Sequence, residues 1–92
     1  MLKYVVEFLG TFLFLSVIVA TTNPLLIALA LMTAMVLVGN VSGAHLNPAV
    51  SSMFWMKGSL SNNDLVGYIV AQVLGGFAAL TAYRTFGGKA PI

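Results

Sequence analysis

Residues 42–50 read Ser42-Gly43-Ala44-His45-Leu46-Asn47-Pro48-Ala49-Val50, a stretch too polar for the apolar run it interrupts. Asn47 followed by Pro48 reads as a helix start. Asn is a preferred N-cap, and Pro fits the first helical position, where its missing N–H would be unpaired anyway. Lys57 and Gly58 read as the last turn and the stop. A helix from Pro48 to about Lys57 is then ~14 Å long, roughly half of a ~30 Å hydrocarbon core. Half length and a polar start predict a re-entrant segment whose N-terminus points at the bilayer midplane. Non-helical backbone at that depth is tolerated only where protein covers it or where it lines a water-filled cavity. The stretch therefore predicts a pore or a binding site.

Composition places the chain in a membrane. Of 92 residues, 60% are hydrophobic and 7% charged, against roughly 25% charged in a soluble domain. Mean hydropathy is +1.02. One short unit of this kind could not cover so much apolar surface in water. There is no Cys, which excludes disulfides and thiolate metal sites. The net charge of +2 comes from Lys3, Lys57, Arg84 and Lys89, scattered near segment ends. That is flank charge and snorkelling, and it gives no nucleic-acid patch. The N-terminal run is too long for a cleavable signal peptide and carries Glu7 inside it.

Working outward, the expected architecture is all-α, with three transmembrane helices and one re-entrant half-helix in a single unit, 1–92. The spans are expected at about 2–20, 25–41 and 65–86, and the half-helix at about 48–57. In the first span Glu7, Gly10 and Phe14 share a face. Glu7 has two readings: a functional ionisable group inside the span, or a wet carboxylate at headgroup level. Asn23-Pro24 repeats the Asn-Pro helix start. Gly39 and Gly43 allow the second span to turn back into the loop. Leu60 to Asp64 reads as a polar turn. In the third span Gly67, Ala71, Gly75 and Ala79 recur every four residues, a ridge that lets another helix approach closely. Gln72 is that span's lone strong polar group, and Gly87-Gly88 ends it. This arrangement leaves the loop covered on one side only, so the half-helix needs a partner from the opposite face. An inverted second copy would supply it. With the N-terminus inside, Lys3 and Lys57 lie inside and Arg84 and Lys89 outside, a balance that sets no orientation.

At these residues the chain resembles one half of a major intrinsic protein, the aquaporin and glycerol-facilitator family. Residues 42–50, SGAHLNPAV, are similar to that family's first signature loop. Glu7-Phe8-Leu9-Gly10-Thr11-Phe12 resembles its first-helix E-x-x-G-T motif, and Ala71-Gln72-Val73-Leu74-Gly75-Gly76 its third-helix A-Q-x-x-G motif. The resemblance covers nearly the whole chain but only the first half of a family member. The second half, with its own Asn-Pro-Ala followed by Arg, has no counterpart in this sequence.

The resemblance implies roles that physical chemistry supports. Asn47, Pro48 and Ala49 would form one half of a pore constriction. The Asn47 amide would add to a positive helix end of roughly half a charge, and two such ends would repel cations and orient a permeating oxygen. Gly43, Ala44 and His45, extended before the cap, would line the pore with carbonyls. A metal role for His45 is not expected, with no second His, no Cys and carboxylates distant in sequence. Glu7 would accept two or three loop N–H groups and so hold the loop. Gln72 either braces the same loop or simply bonds a neighbouring helix. Gly10, Gly67, Ala71 and Gly75 would serve helix packing. If one chain serves as both halves, Ile27, Met35, Ala44 and Val50 occupy the narrow filter. Val50 then replaces the family's Arg, giving an apolar constriction that lacks a fixed cation.

Two functions follow as expectations. The first is a passive channel for water or small neutral solutes, built from inverted pairs, eight chains making four pores. The second is a truncated, non-conducting piece that is inert or modulates full-length relatives. An enzyme is not expected, because one His and two carboxylates supply no nucleophile–base pair. No cofactor or metal is implied. The partners implied are the lipid bilayer, the solute, and other copies or full-length relatives. The location implied is an integral, multi-pass membrane position.

Overall fold

The computed structural model describes residues 1–87; the expected stop at Gly88 and the cation Lys89 lie outside the described residues. Four helices form among them: α1 (Leu2–Ala20), α2 (Pro24–Ser42), α3 (Pro48–Lys57) and α4 (Asn62–Phe86). The long three are long and apolar enough to cross a membrane. With α3 at half length, the architecture is that of half an aquaporin-like fold, and the chain is an integral, multi-pass membrane protein.

Caps set the boundaries. Asn23 Oδ1 accepts the Leu25 N–H at 2.9 Å and the Leu26 N–H at 3.2 Å, which opens α2 at Pro24. α2 then runs to Ser42, past the expected end near Val41, because the left-handed Gly43 (φ 88°) ends it and sends its N–H back to Gly39. Gly39 is an ordinary helical residue, so the turn rests on Gly43 alone. α4 starts at Asn62, ahead of the expected Leu65. Ser61 Oγ accepts the Asp64 N–H at 3.1 Å, which converts the expected polar turn into the helix's first turn.

α1 lies between α2 and α4, and α3 packs on α4. Lys3 Nζ reaches Asp64 Oδ2 at 2.7 Å, so α1 and α4 start on the same side and run parallel. The ridge of small residues on α4 faces α1. A Cβ on Gly75 would stand 2.8 Å from the Phe8 carbonyl oxygen and 3.2 Å from the Phe12 nitrogen, both backbone atoms. Gly10 holds a matching close approach, with Leu46 Cδ2 2.8 Å from a built-on Cβ. Ala34 and Val38 of α2 meet Ala44 and Leu46 of the loop in a small buried cluster. Most large apolar side chains instead point outward, Val36 at 74% and Leu37 at 67% exposure among them. An uncovered apolar exterior of this kind suits lipid or a neighbouring helix.

Since the Gly75 contact is backbone to backbone, a side chain there must push the helices apart. Gly75→Val is expected to cost about 1–3 kcal/mol and to lower the Tm in detergent. Gly39→Ala, where a Cβ meets nothing within 4 Å, is expected to leave it unchanged. Thermal unfolding followed by circular dichroism reads both.

Candidate functional site

The site grows from a helix start placed deep in the bundle. A hollow of about 390 Å³ beside Leu46 and Pro48 is lined also by Thr11 and Leu15 of α1 and by Gln72, Gly76 and Phe77 of α4. Thr11 is midway along α1, and Gln72 and Gly76 are near the middle of α4. The half-helix therefore begins at mid-depth. Its ten residues cover ~15 Å toward the side where α1 and α4 start, and there Trp55 Nε1 donates to Asn62 Oδ1 at 2.6 Å.

Asn47 Oδ1 accepts the Ala49 N–H at 2.8 Å, and the Asn47 carbonyl accepts the Ser51 N–H at 3.1 Å. Pro48 has no N–H. Three donor groups remain at this end: the Asn47 backbone N–H, the Asn47 Nδ2 amide and the Val50 N–H make no hydrogen bond among the described residues. Asn47, Pro48 and Ala49 are all exposed. A helix N-terminus with free donors attracts an acceptor oxygen.

The loop before the cap is not extended, as the sequence suggests for Gly43 to His45. Gly43 (φ 88°), Ala44 (φ 52°) and Leu46 (φ 57°) are left-handed, two of them without glycine's freedom. Left-handed backbone costs roughly 1–2 kcal/mol at such a residue and persists only where the surroundings enforce it. Here the enforcement is Glu7. Its side chain is fully buried. Oε2 accepts the His45 N–H at 2.9 Å and the Ser42 hydroxyl at 2.6 Å, while Oε1 accepts the Leu46 N–H at 2.9 Å and Gln72 Nε2 at 3.0 Å. Ser42 Oγ in turn accepts the Ala44 N–H at 3.1 Å. Three consecutive loop N–H groups are thus held, directly or through one hydroxyl, by one carboxylate from α1.

Gln72 contacts the loop network through Glu7 and also donates to Ser51 Oγ at 2.9 Å. The filter candidates are dispersed within one chain. Ala44 is buried in the core cluster. Met35 is exposed on α2 beside Leu31 and Met32. Ile27 and Val50 are half-buried. The structure also brings in residues that sequence reasoning missed. Ser42, Ser51 and Tyr68 are buried, and the Tyr68 hydroxyl donates to the Ser42 carbonyl at 2.7 Å. Tyr68 precedes Gln72 by one helical turn, a spacing that puts both on one face and was available as a signal. No group of His, Cys, Asp and Glu suited to a metal occurs among the described residues.

This fold and this loop define a class, and comparison with known proteins agrees with it. The family model described as "Major intrinsic protein" matches residues 22–89. The glycerol uptake facilitator protein-like 6 of Lactiplantibacillus plantarum is 36% identical, over 94% of this chain and 44% of its own length. The propanediol uptake facilitator PduF of Citrobacter freundii is 35% identical, over 90% of this chain and 36% of its own length. No solved structure matches. The chain belongs to the major intrinsic protein family, and it spans less than half the length of these two relatives.

Glu7→Ala would strand four donors in a buried site. The expected loss is on the order of 3 kcal/mol or more, with Glu7→Gln, which keeps one acceptor oxygen, losing less. Denaturant unfolding of the protein in detergent or bicelles measures the order wild type, Glu7→Gln, Glu7→Ala.

Proposed function

We propose that the chain forms half of a passive channel for small neutral solutes, completed by a second copy inserted in the opposite sense. The observation that carries this reading is the start of α3: a helix N-terminus at mid-depth, with Asn47, Pro48 and Ala49 exposed and donors of Asn47 and Val50 free among the described residues. In a bilayer such an end needs an acceptor, and both water and an alcohol hydroxyl supply one. A second half-helix arriving from the other side would face it, so that two positive ends flank the pathway. Cations are repelled there while neutral oxygen-bearing molecules are oriented. The names of the relatives, with glycerol and propanediol as solutes, point to the same class of permeant. Asn47 is the donor to the permeant, with Pro48 and Ala49 completing the constriction. Gly43, Ala44 and His45 supply carbonyls on the approach, and Glu7 and Gln72 hold the loop. Ile27, Met35 and Val50 keep exposed surface for an apolar filter in the pair, whereas Ala44, buried in the core cluster, takes part through its carbonyl. The reaction is diffusion down a gradient, with no cofactor and no covalent step.

A second reading is favoured by the coverage of 44% and 36% of the relatives' lengths. In it the chain does not conduct as a pair of itself, and the exposed start of α3 docks on the complementary half of a longer relative.

Stopped-flow swelling of vesicles carrying the chain separates the two. The channel reading expects water, glycerol or propanediol permeability above that of lipid. Asn47→Asp, which sets a negative charge among the donors, should lower it about tenfold, a barrier change of ~1.4 kcal/mol. Lipid-level permeability to all three solutes favours the second reading. Inverted pairing is tested separately by Lys3→Cys in intact cells or sealed vesicles. An impermeant thiol reagent should label it from both sides, and labelling from one side only refutes the pairing.

A further inference from the structure

Four side chains close a hydrogen-bonded ring around the loop. Glu7 Oε2 accepts the His45 backbone N–H at 2.9 Å. The His45 ring Nδ1 lies 2.9 Å from Ser51 Oγ. Gln72 Nε2 donates to Ser51 Oγ at 2.9 Å and to Glu7 Oε1 at 3.0 Å, where the ring closes. His45 is therefore held twice in this ring, by the Glu7 carboxylate at its main chain and by Ser51 at its imidazole.

Donor accounting fixes the direction of this ring. A carboxylate only accepts, so Gln72 turns its NH₂ toward Glu7, and both amide hydrogens are then used by Glu7 and Ser51. The Ser51 hydroxyl has one hydrogen to place, and Nδ1 is the acceptor beside it. Nδ1 consequently accepts, and in a neutral imidazole the hydrogen sits on Nε2. Phe54 stacks on the ring at 4.9 Å and 20°, and Tyr68 stands 4.9 Å away at 56°, so its faces are packed. Nε2 lies against Gly43, 3.4 Å from where a Cβ would be. It makes no hydrogen bond among the described residues, and His45 is only half-buried.

We propose that Ser51 is a positioning residue: by donating to Nδ1 it holds His45 as the Nε2–H tautomer, which presents one fixed donor to the oxygen of water or a small alcohol. With Nδ1 occupied, the imidazole offers no free acceptor. The solute contact rests on the channel reading above, whereas the tautomer does not.

The chain contains one His, so ¹⁵N-histidine labelling reports this ring alone. In bilayers at neutral pH, solid-state ¹⁵N NMR is expected to show a protonated Nε2 and an unprotonated Nδ1. Ser51→Ala should introduce the Nδ1–H tautomer, and Ser51→Thr, which keeps the hydroxyl, should restore the wild-type pattern. An Nδ1–H or imidazolium signal in the wild type overturns the proposal, even if Ser51→Ala does not fold. An unchanged pattern in Ser51→Ala also overturns it. Vesicles that fail to swell while the wild type shows the single tautomer refute the channel reading and leave the Ser51 role standing. Swelling with mixed tautomers refutes the Ser51 role instead.

Discussion

Everything at the half-helix depends on one buried carboxylate. Glu7 takes the His45 and Leu46 N–H groups directly, and the Ala44 N–H through the Ser42 hydroxyl. Without these bonds, three backbone donors would sit in a medium where an unsatisfied group costs several kcal/mol. With them, the chain can carry left-handed Ala44 and Leu46, conformations that open water would not favour. The carboxylate thereby converts a strained loop into a defined entrance to α3.

The close crossing of α1 and α4 is the second requirement, and it serves the first. Gly75 lets the α1 backbone come within van der Waals contact of α4, which brings Gln72 within 3.0 Å of Glu7. Lys3 and Asp64 tie the starts of the same two helices. That pair is partly exposed, and exposed pairs contribute little; its information is geometric, since it marks the shared side. The small-residue ridge, the buried polar network and the mid-depth helix start are therefore one construction. A larger residue at Gly75 would move Gln72 as well as α1.

Glu7 and Gln72 were legible because a polar side chain inside an apolar span is costly and so conspicuous. Ser42 and Ser51 were not, because Ser is common at helix ends and only burial separates these two from surface residues; for Tyr68 the one signal was its place one turn before Gln72. The loop conformation was also hidden. Nothing in Gly43-Ala44-His45-Leu46 announces left-handed Ala44 and Leu46, since the preference of each residue alone is for the right-handed or extended regions. The spread of Ile27, Met35, Ala44 and Val50 over separate surroundings likewise follows from packing, which no spacing along the chain encodes.

By itself the sequence determined the class of molecule, the three spans and the short helix between them. Those follow from local quantities: runs of apolar residues long enough to cross a membrane, and Asn-Pro starts at Asn23 and Asn47 with glycine stops. Tertiary structure decided how deep the half-helix begins, which backbone donors are consumed and which remain free. That depth is set by α1 and α4 crossing at Gly75, and the donors by where the crossing delivers Glu7. Both are properties of residues far apart in the chain, so only the folded arrangement fixes them.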